Sequence, residues 1–196
     1  LILEVANMAQ AKTLTAAELK QVLGHIAASN RHAARNRAML LLTHWAGLRV
    51  GEVAALKIAD VLNSDGTVKE EVRLAAQQTK GSNARTVYLG SKVRKELSRY
   101  VAAISVTDPS KPLFYTQKRS GFTANTLAQH FFHLYKAAGL EGASSHSGRR
   151  TYLTGLADKG ISIHILKSLA GHRNIATTAA YLYSSPTQLK AAADMV

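Results

Sequence analysis

The sequence predicts a mainly helical protein with a small three-stranded antiparallel β-sheet, an α+β arrangement dominated by helices. Three observations carry that prediction. The chain has 196 residues of which 46% are hydrophobic, enough for one globular core. Most of it shows apolar residues at helical spacing between recognisable start and stop signals. Only between Leu56 and Leu89 does that spacing break into short runs separated by turn-rich stretches.

"TAAELKQVLGHIAA" opens with Thr15 three residues before Glu18, a capping box that satisfies the first orphan amides of a helix. "RHAARNRAMLLLTHWAG" is a second helix closing at Gly47, a left-handed C-cap, which places Arg49 in the turn beyond. Its charge run reads as a solvated helix face, or one that tracks a phosphate backbone. "KIADVL", "EEVRLAAQQ" and "ARTVYL" are the three expected strands, joined by "NSDG" and "TKGSN". Helical spacing returns in "SKVRKELSRYVAAI" and in "TANTLAQHFFHLYKAAG", the latter from Thr123 to Gly139. Four further helical pieces follow, "HSGRRTYLTGLADKG", "SIHILKSLAG", "IATTAAYLYS" and "SPTQLKAAADMV", punctuated by Gly160 and Gly171. His130 and His133 stand three apart, but without a third ligand nearby they read as a helix face toward solvent or nucleic acid rather than a metal site.

The charge narrows the function. Lys and Arg number 25 against 12 Asp and Glu, a formal net charge of +13 shared almost evenly between the two halves of the chain. A polyanion is the expected partner, and double-stranded DNA, which releases counterions on meeting such a surface, leads. A membrane would call for a long apolar span or a basic amphipathic helix, and neither is visible. The absence of Cys excludes a disulfide framework, a thiolate metal site and a cysteine nucleophile. The first residue is Leu, no secretory signal follows, and the chain is expected to be a cytoplasmic, processed or partial form lacking an N-terminal region.

Four stretches then occur together, "AGLRVGEVAAL", "QTKGSNARTVYL", "SSHSGRRTYLTGLA" and "SLAGHRNIATTAAYLY". In order and rough spacing they resemble the tyrosine recombinase (phage integrase) family over most of the chain. The resemblance implies the fold of that family's catalytic domain for residues 1–196, with the usual N-terminal core-binding domain absent. It implies DNA strand breakage and rejoining through a covalent 3′-phosphotyrosyl intermediate, with no metal or other cofactor. It makes Arg49 and Arg149 the two catalytic arginines, Lys80 the lysine of the sheet hairpin, His146 and His172 the two histidines, and Tyr181 the nucleophile. Glu52 takes the family's acidic position of structural support. The tail, 184–196, would be a helix exchanged between protomers, the protein being a monomer in isolation and a tetramer on DNA.

The chemistry calls for such a set. Attack at phosphorus gathers negative charge on two non-bridging oxygens, which two planar, permanently charged guanidiniums can hold by paired hydrogen bonds. The leaving 5′-oxygen needs a proton, for which Lys80 on a hairpin turn is suited if neighbouring cations lower its pKa. A phenol titrates near 10, so the attacking oxygen gains from a base, the expected role of His146. His172 would donate to the phosphate. Because the phosphotyrosine retains the ester's energy, a 5′-hydroxyl can reverse the step.

Two assignments have rivals in the sequence. Tyr183 lies two residues, about 200° of helix, beyond Tyr181, so only one of them can face a site. Arg150 adjoins Arg149, and Gly148 stands where the family often has leucine, leaving the packing of Arg149 open. Two other function classes also remain: a type IB topoisomerase-like enzyme that breaks and rejoins DNA strands to relax supercoils without pairing two sites, and a helical DNA-binding regulator without catalysis, which would leave the ordered Arg, Lys, His, Arg, His, Tyr set unexplained.

Overall fold

The computed structural model describes residues 11–29, 32–79, 83–104, 108–118, 120–182 and 193–194. The chain divides into two compact units between Tyr152 and Leu153. In the first, α1 (Ala16–Ala28) begins at the expected capping box: the Thr15 amide donates to Glu18 Oε2 at 2.9 Å and the Glu18 amide donates to Thr15 Oγ1 at 3.2 Å. Helix α2 (Ala33–Trp45) is the central element, with Met39, Leu40, Leu41 and Leu42 fully buried. Each such side chain contributes roughly 2 kcal/mol of burial. A turn at Gly47 leads to α3 (Val50–Ala55), which packs on α6 (Ala124–Ala137), while α5 (Ser91–Ala102) packs on α2. Thr123 caps α6 as expected, and Gly139 beyond its end has φ +76°.

The sheet is smaller than the sequence suggests. Among the described residues it has two strands, β1 (Glu71–Leu74) and β2 (Arg85–Tyr88), antiparallel with Glu71 opposite Tyr88 and Leu74 opposite Arg85. The third expected strand, "KIADVL", is instead a single helical turn, α4 (Ile58–Val61), followed by an isolated bridge between Leu62 and Val68. The reason is spacing. Ile58 and Val61 are three apart and both buried, which one helical turn satisfies and a strand would not, since it sends them to opposite faces. Asp60 fixes the turn by accepting the Lys57 amide at 2.8 Å. Strand β1 also ends early, at Leu74, ahead of a 3-10 turn at Ala76–Gln78.

Arg35 and Arg37, the described arginines of the charge run, turn to protein partners. Arg35 is buried, donating to the Tyr115 carbonyl and to Asn36 Oδ1 and lying 5.2 Å over the Phe122 ring. Arg37 forms a two-pronged pair with Glu96 at 2.7 and 3.1 Å. His130 also turns inward, its Nε2 at 3.1 Å from the same Asn36 Oδ1. Among the described residues no group of three or more His, Cys, Asp or Glu is arranged to hold a metal, and no helix is long and apolar enough to cross a membrane.

Helix α7 (Ser147–Ala157) runs across the division at Tyr152. The second unit continues with α8 (Ile163–Ala170) and α9 (Ile175–Ala179), which pack on each other. Gly160 and Gly171 take the left-handed conformations, φ +77° and +61°, that separate these helices. The tail read as an exchanged helix lies outside the described residues except for Ala193 and Asp194.

Candidate functional site

Arg49 stands where α2 has ended and α3 has not begun. Gly47, φ +65°, reverses the chain, and a Cβ there would lie 2.4 Å from the Tyr152 ring. Arg49 then caps α3 in extended conformation, its amide donating to Glu52 Oε2 at 2.7 Å and its Nη1 to Glu52 Oε1 at 3.0 Å. The Glu52 carboxylate is 1% exposed and has a second partner: Arg85 donates from Nε to Oε1 at 2.9 Å and from Nη2 to Oε2 at 2.6 Å. Burial pushes the Glu52 carboxyl up, but the hydrogen bond and charge of Arg85, with the amide and charge of Arg49, outweigh it and hold the group below the ordinary carboxylate range.

Arg149 is 4% exposed and reaches the same turn, donating from Nη1 to the Gly47 carbonyl at 2.7 Å. Gly148 makes this approach possible. A Cβ on it would lie 2.1 Å from Thr43 Oγ1 and 2.9 Å from the His44 ring, so no leucine fits there in this chain. Tyr152, one turn farther along α7, is half-buried; burial raises its phenol pKa, against the lowering charges of Arg85 and Arg149. His146 is exposed at the start of α7, with its amide donating to Ser144 Oγ at 3.3 Å. Arg49, Arg149 and Glu52 are thus gathered around one turn, together with Arg85.

In the second unit, Gly171 ends α8 and sends His172 outward from the helix. His172 Nδ1 is 3.0 Å from the buried Thr178 hydroxyl, and its ring stacks on Tyr181 with centroids 5.8 Å apart and planes 22° from parallel. Asn174 starts α9 by accepting the Ala176 amide at 2.9 Å. That helix stops at Ala179, so Tyr181 sits in the turn beyond it, its amide donating to the Thr178 carbonyl at 3.0 Å. The helical-rotation argument for choosing between Tyr181 and Tyr183 therefore does not apply. Lys80 and Tyr183 both lie outside the described residues.

Arg85 is the residue that sequence reasoning missed, though a signal was present. In "ARTVYL" it shares a strand face with Val87 and Leu89, both buried, and an arginine on a buried face needs an anion.

The phage integrase family model matches residues 12–188. The tyrosine recombinase XerD of Rickettsia conorii is 28% identical over 189 residues, covering 91% of this chain and 62% of its own length. The crystal structure of a XerA recombinase superposes with a TM-score of 0.74 at 25% identity, over 94% of this chain and 63% of that one. A XerH site-specific recombinase in a post-cleavage complex with a palindromic difH substrate gives a TM-score of 0.70 at 25% identity, over 92% and 51%. The chain thus spans about three fifths of the length of the curated XerD relative. With a match over nearly its whole length and the arginine turn in place, the chain belongs to the phage integrase family.

Proposed function

We propose that this chain breaks and rejoins double-stranded DNA as a tyrosine-type site-specific recombinase, with Tyr181 as nucleophile and no metal or cofactor. The observation that carries the reading is the bond from Arg149 to the Gly47 carbonyl, which brings the second arginine to the turn bearing the first. Two guanidiniums so placed suit the two non-bridging oxygens of one phosphate. In the step proposed, the Tyr181 oxygen bonds to phosphorus while His146 takes its proton. The bond from phosphorus to the 5′-oxygen breaks, and Lys80 protonates the leaving oxygen. The 3′-phosphate is left on Tyr181 and the other strand end carries a free 5′-hydroxyl, whose attack reverses the sequence. The Thr178 hydroxyl 3.0 Å from Nδ1 supports the role of His172: in the tautomer where that hydroxyl donates, the ring proton is on Nε2, available to a phosphate oxygen.

The test is a duplex nicked just beyond the scissile phosphate, so that the 5′-end diffuses away and the adduct accumulates. Wild type gives a protein–DNA adduct stable in denaturing gels; Tyr181→Phe gives none and Tyr183→Phe retains it. No adduct from wild type contradicts the reading. We infer further that the protein acts in the cytoplasm and is a monomer alone but a tetramer on DNA, with 184–196 exchanged between protomers. Light scattering with and without DNA checks the assembly, a chain ending at Ser185 losing the larger species.

A further inference from the structure

We propose that Arg85 is a positioning residue whose charge neutralises Glu52, leaving the charge of Arg49 available to the scissile phosphate; this rests on the function proposed above. The exposures give the order of the three groups: Glu52 at 1%, Arg85 at 8% and Arg49 at 22%. The carboxylate is innermost, Arg85 closes over it, and Arg49 is the outermost. Arg85 engages Glu52 fork to fork through both of its oxygens, whereas Arg49 gives it a single guanidinium N–H. The two-pronged pair is the stronger partner.

Charge then decides the consequence. Two guanidiniums on one carboxylate leave the cluster with a net positive charge, and Arg149 at the same turn adds another. Without Arg85, Arg49 and Glu52 would form a neutral pair, and the buried carboxylate would draw Arg49 inward and oppose the charge growing on the phosphate. Arg85 is itself fixed by its strand. It pairs in register with Leu74, and Val87, two residues along, is buried in the core. The strand thus sets where the neutralising charge lies.

A merely structural role and a charge role separate in a double variant. Removing Arg85 alone strands the Glu52 charge, while removing both charges leaves Arg49 unopposed and the fold free of a lone buried ion. The experiment measures single-turnover cleavage of the nicked duplex at saturating protein, with DNA affinity from anisotropy and folding from thermal melts. Arg85→Gln is expected to slow cleavage about 100-fold with little change in affinity. Arg85→Lys, which keeps the charge, should stay within about tenfold of wild type, and Glu52→Gln combined with Arg85→Gln should recover to about that level. The proposal is overturned if Arg85→Gln cleaves at the wild-type rate, if the double variant is as slow as Arg85→Gln or slower, or if Arg85→Lys and the double variant both fail to fold. Wild type that forms no adduct removes the recombinase reading itself; active wild type with an unaffected Arg85→Gln removes only this one.

Discussion

Around Arg49 and Arg149 the contacts bridge long stretches of chain and are shielded from water: Arg85 reaches Glu52 across 33 residues and Arg149 reaches Gly47 across 102. His172 and Tyr181 are held within one short segment, where Nδ1 of the histidine meets a hydroxyl six residues away and the two rings stack nine residues apart. The first arrangement joins residues far apart in the first unit, so folding itself sets Arg49, Arg85 and Arg149 in place. The second is set by Gly171, Asn174 and a helix of five residues. Damage to the first should therefore cost stability as well as activity, and damage to the second activity alone.

The largest expected effect separates the two most directly. Arg149→Ala should slow cleavage by about 1,000-fold or more and also lower the melting temperature, because it leaves the Gly47 carbonyl without that donor in a buried place. Tyr181→Phe should eliminate the adduct while melting within about 1 °C of wild type. Equal destabilisation by both would mean that the His172–Tyr181 segment is as much a part of the folded core as the arginine turn.

Next comes Gly148→Ala, a stability effect confined to the first unit. With Thr43 Cβ 2.8 Å and Thr43 Oγ1 2.1 Å from the added methyl, α7 must shift on α2, at a cost of about 3 kcal/mol in urea unfolding. A loss below about 1 kcal/mol would mean the helices yield easily. Thr178→Val tests the local segment: nearly the same shape without the hydroxyl should lower the cleavage rate about tenfold by releasing the His172 tautomer, with DNA affinity unchanged. Undiminished cleavage would remove Thr178 from the account.

A last effect, on stability alone, is read through pH. Burial lowers the His44 pKa to about 4 in the folded protein, while the unfolded chain titrates near 6.5. Between those values the unfolded state binds more protons, so stability present at neutral pH is lost as pH falls from about 6.5 toward 4, at up to roughly 1.4 kcal/mol per pH unit from this group. His44→Gln should flatten that slope in urea titrations at pH 7, 6 and 5; an unchanged slope would deny the histidine its buried, neutral state.

Signals carried by adjacent residues were legible in the sequence. The Thr15–Glu18 box, the Thr123 cap and the glycines at 47, 160 and 171 each act within a turn, and the structure has each of them in that role. The recombinase motifs placed Arg49 and Arg149 in separate stretches, and the fold brings them to one turn. Contacts between distant residues left weaker traces. Arg35 looks like surface charge until the Tyr115 carbonyl and the Phe122 ring arrive from elsewhere in the fold to receive it, as Glu96 does for Arg37 and Asn36 for His130. Arg85 was visible only as a misplaced charge on an apolar strand face. "KIADVL" was misread because its β-branched residues suggest a strand while their three-residue interval fits a turn of helix.

The most direct measurement of the central claim is fragmentation mass spectrometry of the trypsin-cleaved adduct formed on the nicked duplex. The peptide after Arg173 carries both tyrosines, and a nucleotide 3′-phosphate is expected on Tyr181, lost when either Arg49 or Arg149 is replaced by alanine. A phosphate on Tyr183, or an adduct that persists undiminished without either arginine, would contradict it.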